Sequence, residues 1–411
     1  MRQSRERGTP GLGLATARRA VSLCFFLNGA VIASWVPHIP GLKTRLGIGD
    51  GGLGLLLLSM AAGAVVALPA AGWLIGRFGN RVVTSTSAAA LSIAVVLPVL
   101  APGVATCTIA LALLGAGNAT LDVAMNAQGV MVEDGYEREI MSSFHALFSL
   151  GGLAGAGGAA TAMAAGMSPL VHLVIVALLS LAAVRVAVGR LLPSVPVRTH
   201  AGPIFVLPPA GLLGLGLLTF CALLAEGAMG DWSAFYLRDS FGTTTALAAT
   251  GFAAFSLAMA LGRLAGDRLA QHTGAAQLLR LSGALAGGGL AMSLLVGHPA
   301  IALLGFGLVG LGVANLIPIL FSAAGRTRGI PPGPALAAVA TTGYFGFLAG
   351  PPLIGLAAEA AGLPTALAIV CVACALIAAG GGIIPPPRAT LATAQTVASE
   401  AITRTQEATH A

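Results

Sequence analysis

The sequence predicts an all-α membrane protein whose twelve transmembrane helices form two pseudo-symmetric six-helix halves. Three observations carry this: a composition too apolar for water, twelve apolar runs long enough to span a bilayer, and basic residues confined to one side. Of 411 residues, 56% are hydrophobic and 9% are charged, and the mean hydropathy is +0.91. A soluble domain covers itself with about a quarter charged residues, so most of this surface must face lipid. The 57 glycines suit a helical bundle, in which small residues let backbones approach closely.

Apolar runs of about 20 residues, the length that crosses a bilayer, fall at 19–40, 52–76, 82–101, 104–131, 142–166, 168–190, 209–237, 244–266, 277–297, 299–324, 333–357 and 362–384. The first follows a basic N-terminus in the manner of a signal peptide. Its apolar part lasts a full span, which predicts a retained helix. Between spans six and seven runs the proline-rich LLPSVPVRTHAGPIFVLPP. It divides the chain into an N-terminal half (1–190), a linker (191–208), a C-terminal half (209–384) and a polar tail (385–411).

Alternating the loops between two sides sorts the basic residues. One side collects eighteen arginines (2, 5, 7, 18, 19, 77, 81, 138, 185, 190, 198, 263, 268, 280, 326, 328, 388 and 404), and the other holds Lys43, Arg45 and Arg238, which together exhaust the 21 Lys and Arg. A wrong span count would scramble this bias. Basic loops stay in the cytoplasm, so both termini are expected there, in a cytoplasmic membrane of bacterial type.

Other classes find little support. The net charge of +7 comes from scattered single residues, without the basic blocks and interleaved aromatics of a nucleic-acid surface. Cys24, Cys107, Cys221, Cys371 and Cys374 all lie in apolar runs, which reads the CxxC at 371–374 as buried packing. Lys43, the single lysine, follows Leu42, so no GxxxxGK phosphate loop exists to bind ATP. No HExxH or other metal-ligand spacing occurs. No cofactor is expected; the expected partners are a small-molecule solute, protons and the bilayer, with the protein a monomer.

The halves echo one another. LLGAGNATLDVAMN (113–126) in span four aligns with LVGLGVANLIPILF (308–321) in span ten, and NGAVIASW (28–35) in span one with EGAMGDW (226–232) in span seven. Repeated halves are how many secondary transporters are built, with the site where the repeats meet.

The connection after span two, GWLIGRFGNRVV (72–83), and that after span eight, GRLAGDRLAQHTG (262–274), resemble the Gly-x-Leu-x-Asp-Arg-x-Gly-Arg signature loop of the major facilitator superfamily. The resemblance implies a gate on the cytoplasmic side built from Gly72, Arg77, Gly79 and Arg81 in the first copy and Asp267 and Arg268 in the second. Gly76 stands where the family usually has the aspartate, so the second copy is expected to carry the charge pairing. Spans four and five, with TLDVAMNAQG and SSFHALFSLGG, resemble the fucose permease branch of sugar–proton symporters. There an acid in span four, followed four residues later by an asparagine, serves substrate and proton; Asp122 and Asn126 match that spacing. The branch's second acid, in span one, has no counterpart: Trp35 and Val36 occupy the region, and Asn28 is the one amide in the span.

The polar residues inside the spans point the same way. Asn118, Asp122 and Asn126 are four apart, hence on one helical stripe. An ionisable group at the bilayer centre costs about 2.5–3.5 kcal/mol, so the stripe should face a watered cavity or partners, where a carboxylate can exchange a proton. Packing alone is the competing reading, though an apolar side chain would pack without that cost. His145 and Asn126 are nearly equidistant from the middle of the loop between spans four and five, so they share a depth; His145 either relays protons or simply bonds a helix end. In span seven, Glu226 and Asp231 lie about 140° apart on a regular helix, and the glycines at 227 and 230 would permit unwinding there. Glu226 is the deeper candidate for proton or substrate. Asp231 shares a face with Arg238, as an outer gate would. Trp35 and Trp232 either stack on a ring-shaped solute or mark the interface. Asn315 and Tyr344 are further mid-span polar groups, as ready to serve packing as binding.

The reading is a transporter, not an enzyme: it moves a small polar, sugar-like solute by alternating access, coupled to protons. An efflux pump of the same fold is the alternative. A sensor would need a soluble output domain, and a hydrolase a third partner for Ser142, Ser143 and His145.

Overall fold

The computed structural model describes residues 11–48, 50–193 and 210–384. Most of the expected linker (191–208), the whole tail (385–411), and Arg2, Arg5, Arg7, Arg198, Arg388 and Arg404 lie outside the described residues. The N-terminal half comprises α1 (Gly11–Trp35), a 3-10 turn (Val36–His38), α2 (Ile39–Leu46), α3 (Asp50–Phe78), α4 (Asn80–Ala94), α5 (Leu97–Leu100), α6 (Val104–Tyr136), α7 (Met141–Ala164) and α8 (Pro169–Val188). The C-terminal half comprises α9 (Ala210–Phe241), α10 (Thr245–Thr273), α11 (Ala275–Val296), α12 (Pro299–Val313), α13 (Leu316–Gly325), α14 (Pro332–Ala361), α15 (Leu363–Ala379) and a closing 3-10 turn (Gly380–Ile383).

These helices build twelve spans. Among the described residues, eleven segments are long and apolar enough to cross a membrane. The twelfth is α10, 29 residues long and packed on α9 and α12. Spans three (α4–α5) and ten (α12–α13) are each broken once, which the apolar runs did not foretell. The cause is proline, whose ring clashes with the carbonyl four residues before it. Pro98 ends α4 at Ala94, and Pro318 displaces Ala314 from the ladder. The glycines of span seven do not break it: α9 runs unbroken from Ala210 to Phe241.

Packing repeats between the halves. In the first, α1 lies on α7, α3 and α4 on α6, and α8 on α1 and α4; in the second, α9 lies on α14, α10 and α11 on α12, and α15 on α9 and α11. Each contact has its counterpart at the corresponding span. The closest approaches repeat too. A Cβ on Gly115 would collide with the Met60 carbonyl of α3, and one on Gly310 with the Phe255 carbonyl of α10. A constant step of 195 positions relates both pairs, and also Gly79 to Gly274, the two positive-φ glycines (84° and 80°) that turn α3 into α4 and α10 into α11.

Backbone contacts correct two alignments, the step between α1 and α9 being 194 positions. Gly151 packs on the Phe26 carbonyl and its counterpart Gly346 on that of Phe220. Asn28 of span one therefore corresponds to Ala222, and Glu226 to Ile32, one turn away from the pairing of NGAVIASW with EGAMGDW. Likewise Asp267 stands opposite Gly72, one turn before the position of Gly76. Two oily helices offer a fair match at every turn; backbone contact decides among them. The halves meet mainly along α3 with α14 and α7 with α10.

Candidate functional site

The span-four stripe forms a hydrogen-bonded chain. On α6, Asn126 Nδ2 donates to the Asp122 backbone oxygen at 2.8 Å and to its Oδ1 at 3.1 Å. Asn126 Oδ1 in turn meets His145 Nε2 of α7 at 3.1 Å, so the depth expected of these two becomes contact. His145 is buried, with the Phe25 ring edge-on at 5.2 Å. One turn up α6, Asn118 is partly exposed and its Oδ1 has no hydrogen-bond partner. Asn28 is buried on α1; its Nδ2 lies 3.8 Å from Met125 Sδ, and its Oδ1 is unpartnered.

Across from this chain stands a group the sequence reading passed over. Arg263 of α10 is 6% exposed. Its Nη1 donates to Ser149 Oγ of α7 at 2.8 Å, its Nε to the Ala314 carbonyl at 3.4 Å, and its Nη2 lies 3.9 Å from Glu226 Oε1 of α9. The Ala314 carbonyl is available because Pro318 has no N–H to bond it. Arg263 belongs by topology to the arginine-rich side, yet it sits ten residues before the end of α10 at Thr273, too deep for a loop arginine; that depth is its signal in the sequence. Tyr344 of α14, partly exposed, stands within electrostatic reach of both Asp122 and Glu226. Carboxylates from opposite halves thus address one central space.

Other candidates sit elsewhere. Trp35 is 1% exposed, so its ring is core packing and is not presented to a solute. Asn315 donates to the Gly262 carbonyl at 3.1 Å, joining the break in span ten to α10. Asp231 is exposed, and Arg238 pairs not with it but with adjacent Asp239 at 3.4 Å while lying over the Phe235 ring. Trp232 lines a cavity with Phe235, Asp239 and Glu359, away from the Asp122 chain.

The arginine-rich side is sealed. Asp267 Oδ1 accepts the backbone N–H of Ser143 at 3.0 Å, capping the first turn of α7 from the other half. Glu133, buried at the end of α6, accepts the N–H groups of Ile140 and Met141 at 2.8 Å each, and also bonds Ser322 and Arg326. Arg326 pairs as well with Glu139 at 2.8 Å and Asp134 at 3.7 Å. Burial opposes the Arg326 charge, but the carboxylates of Glu139 and Glu133 outweigh it and raise its pKa above the ordinary guanidinium value. Of the first loop copy, Gly72 lies so close to Ala337 and Pro334 of α14 that a Cβ would press on both. Arg81 donates to the Val188 carbonyl at 2.8 Å, while Arg77 and Arg268 are exposed. On the opposite side the described polar contacts stay within one half: Arg45 to Pro98 and Ala101, His38 to His172, Tyr236 to Ser293. Asn118, Asp122, Glu226 and Tyr344 are all partly exposed.

Among the described residues, no three His, Cys, Asp or Glu side chains gather closely enough to hold a metal ion.

A bundle of two related six-span halves, with ionisable groups buried where they meet, is the architecture of a secondary transporter. The chain belongs to the Major Facilitator Superfamily, whose model matches residues 21–330, and it is a transporter rather than an enzyme. It is 39% identical over 371 residues to an uncharacterized MFS-type transporter of Yersinia pestis, covering 90% of this chain and 95% of that one. It is 37% identical over 368 residues to the membrane protein MosC of Rhizobium meliloti, covering 87% and 89%. The crystal structure of the E. coli Fucose:proton symporter, FucP, superposes with a TM-score of 0.72 at 16% identity, covering 90% of this chain and 99% of that one; at that identity the likeness is one of fold.

Proposed function

We propose that this transporter carries a small hydroxylated, sugar-like solute together with protons, by alternating access, with Asp122 and Glu226 as the proton-exchanging groups. The observation that carries the reading is the Asp122–Asn126–His145 chain facing the Glu226–Arg263 pair across the interface of the halves. Amides and carboxylates supply the donors and acceptors that hydroxyl groups need, and Tyr344 offers a ring at the same place. The fold shared with a Fucose:proton symporter supports the solute class. The excess of arginines supports placing the sealed side in the cytoplasm; a bacterial-type cytoplasmic membrane and a monomeric state belong to the same proposal. The division into halves at the 191–208 linker, with a polar tail from 385, belongs to the same reading.

Reconstituted in liposomes, the protein should accumulate a radiolabelled sugar from a panel when an inward proton gradient is imposed, and should acidify the lumen as it does so. Asp122→Asn should abolish the dependence on the gradient. Full gradient dependence in that variant would remove Asp122 from the proton path. Accumulation of cationic drugs alone would favour efflux.

A further inference from the structure

We infer that Arg263 is a positioning residue that links the protonation of Glu226 to opening of the sealed side, through its bond to Ser149. The inference rests on the proton-coupled reading above and extends it to a residue outside the acid–amide stripe.

The geometry is specific. Arg263 is tied to its own half by the Ala314 carbonyl and the Glu226 carboxylate, and to the other half by Ser149. Ser149 Oγ also donates to the His145 backbone oxygen at 3.2 Å, so the arginine bonds one turn beyond the residue that ends the Asp122 chain. The α7–α10 contact lies between the central space and the Asp267–Ser143 cap.

Charge supplies the switch. A buried guanidinium is tolerable while a carboxylate stands beside it; removing that charge leaves a cation in a site it cannot occupy cheaply. The groups facing Glu226 are few. From α10 comes Arg263, and from α14 the Tyr344 phenol, with Asp122 of α6 beyond it. Helices α12 and α13 carry no ionisable side chain, and α15 contributes cysteines alone. A proton on Glu226 therefore leaves Arg263 without a charged partner within its own half. Arg263 then gains by moving to water, and that movement breaks its bond to Ser149. The pseudo-symmetric position holds Leu68, which is fully buried, so the second interface, α3 with α14, has no such charge. The switch is one-sided.

The test reads conformation rather than transport. In a cysteine-free background of the full chain, spin labels are placed at the exposed positions Phe78 and His272 on the arginine-rich side, and at Ala105 and Ala300 on the other. Distances are measured by pulsed EPR for four proteins: the parent, Glu226→Gln, Arg263→Gln, and the double variant. Glu226→Gln, which imitates the protonated acid, should lengthen the 78–272 distance and shorten the 105–300 distance. Adding Arg263→Gln to it should return both distributions toward the parent, because the orphaned charge is gone. If Glu226→Gln leaves both distances unchanged in a protein that remains folded, the inference fails. A double variant at least as displaced as Glu226→Gln overturns it too, because a merely structural arginine would behave so. These distances need no solute, so loss of proton-linked uptake with an intact distance response would refute the proposed function and leave the switch standing.

Discussion

Asp267 of α10 accepts the backbone N–H of Ser143 on α7 at 3.0 Å, so a carboxylate of one half caps a helix of the other. A helix N-terminus leaves its first N–H groups unpaired and carries partial positive charge; here the missing partner is borrowed across the interface. Asp267→Ala should cost about 0.5–2 kcal/mol, read as a lower melting temperature in detergent. Asp267→Asn, which keeps an acceptor without the charge, should cost less. Equal melting of all three proteins would show that the cap carries no stability.

The Glu133 cluster should matter more. Glu133 is 1% exposed, whereas the Glu139 side chain is 20% exposed, and removing one partner of a buried pair costs about 3–5 kcal/mol. Exposed pairs contribute about 0–1 kcal/mol. Glu133→Leu is therefore expected to lower the melting temperature clearly more than Glu139→Leu, which half-buried pairing places between these limits.

The seal should also depend on its shared cation. Arg326, its pKa raised by its carboxylate partners, stays charged across the accessible range and pairs with Glu133, Glu139 and Asp134. Protease accessibility of the α6–α7 loop should be higher in Arg326→Gln than in the parent protein, because the pairing is gone. Equal accessibility would show that the pairing does not hold the seal.

Interhelical contact can be tested in both halves at once. Gly115→Ala and Gly310→Ala each force a Cβ against a backbone carbonyl of the neighbouring helix, and overpacking costs about 1–3 kcal/mol. Gly117→Ala, on the same α6, would meet Leu91 at 3.6 Å, an ordinary contact, and should be neutral or stabilising. Matching losses at 115 and 310 would support the 195-residue register by measurement.

Much of this was legible in the sequence, for local reasons. Span number followed from run length and arginine asymmetry. The Asp122–Asn126–His145 chain followed from four-residue spacing within one helix and from near-symmetry about one loop. What escaped notice is long-range or depends on backbone detail. Arg326 and Glu133 are 193 positions apart, and no local pattern joins them. The break in span ten was written at Pro318, but hydropathy is blind to a proline inside an apolar run. Arg263 fits the topology as one more basic residue, and only its depth in the helix sets it apart.

The most direct test of the central claim, that Asp122 sits in a proton-linked solute site, is a thermal-shift comparison of wild type with Asp122→Asn at two pH values. The ligands are sugars, nucleosides, amino acids and cationic drugs, since a ligand that binds the folded state raises its melting temperature. The account predicts stabilisation by a sugar that varies with pH in wild type and is lost in the variant. Stabilisation by cationic drugs alone, equal in both proteins and at both pH values, would contradict it and return Asp122 to a packing role.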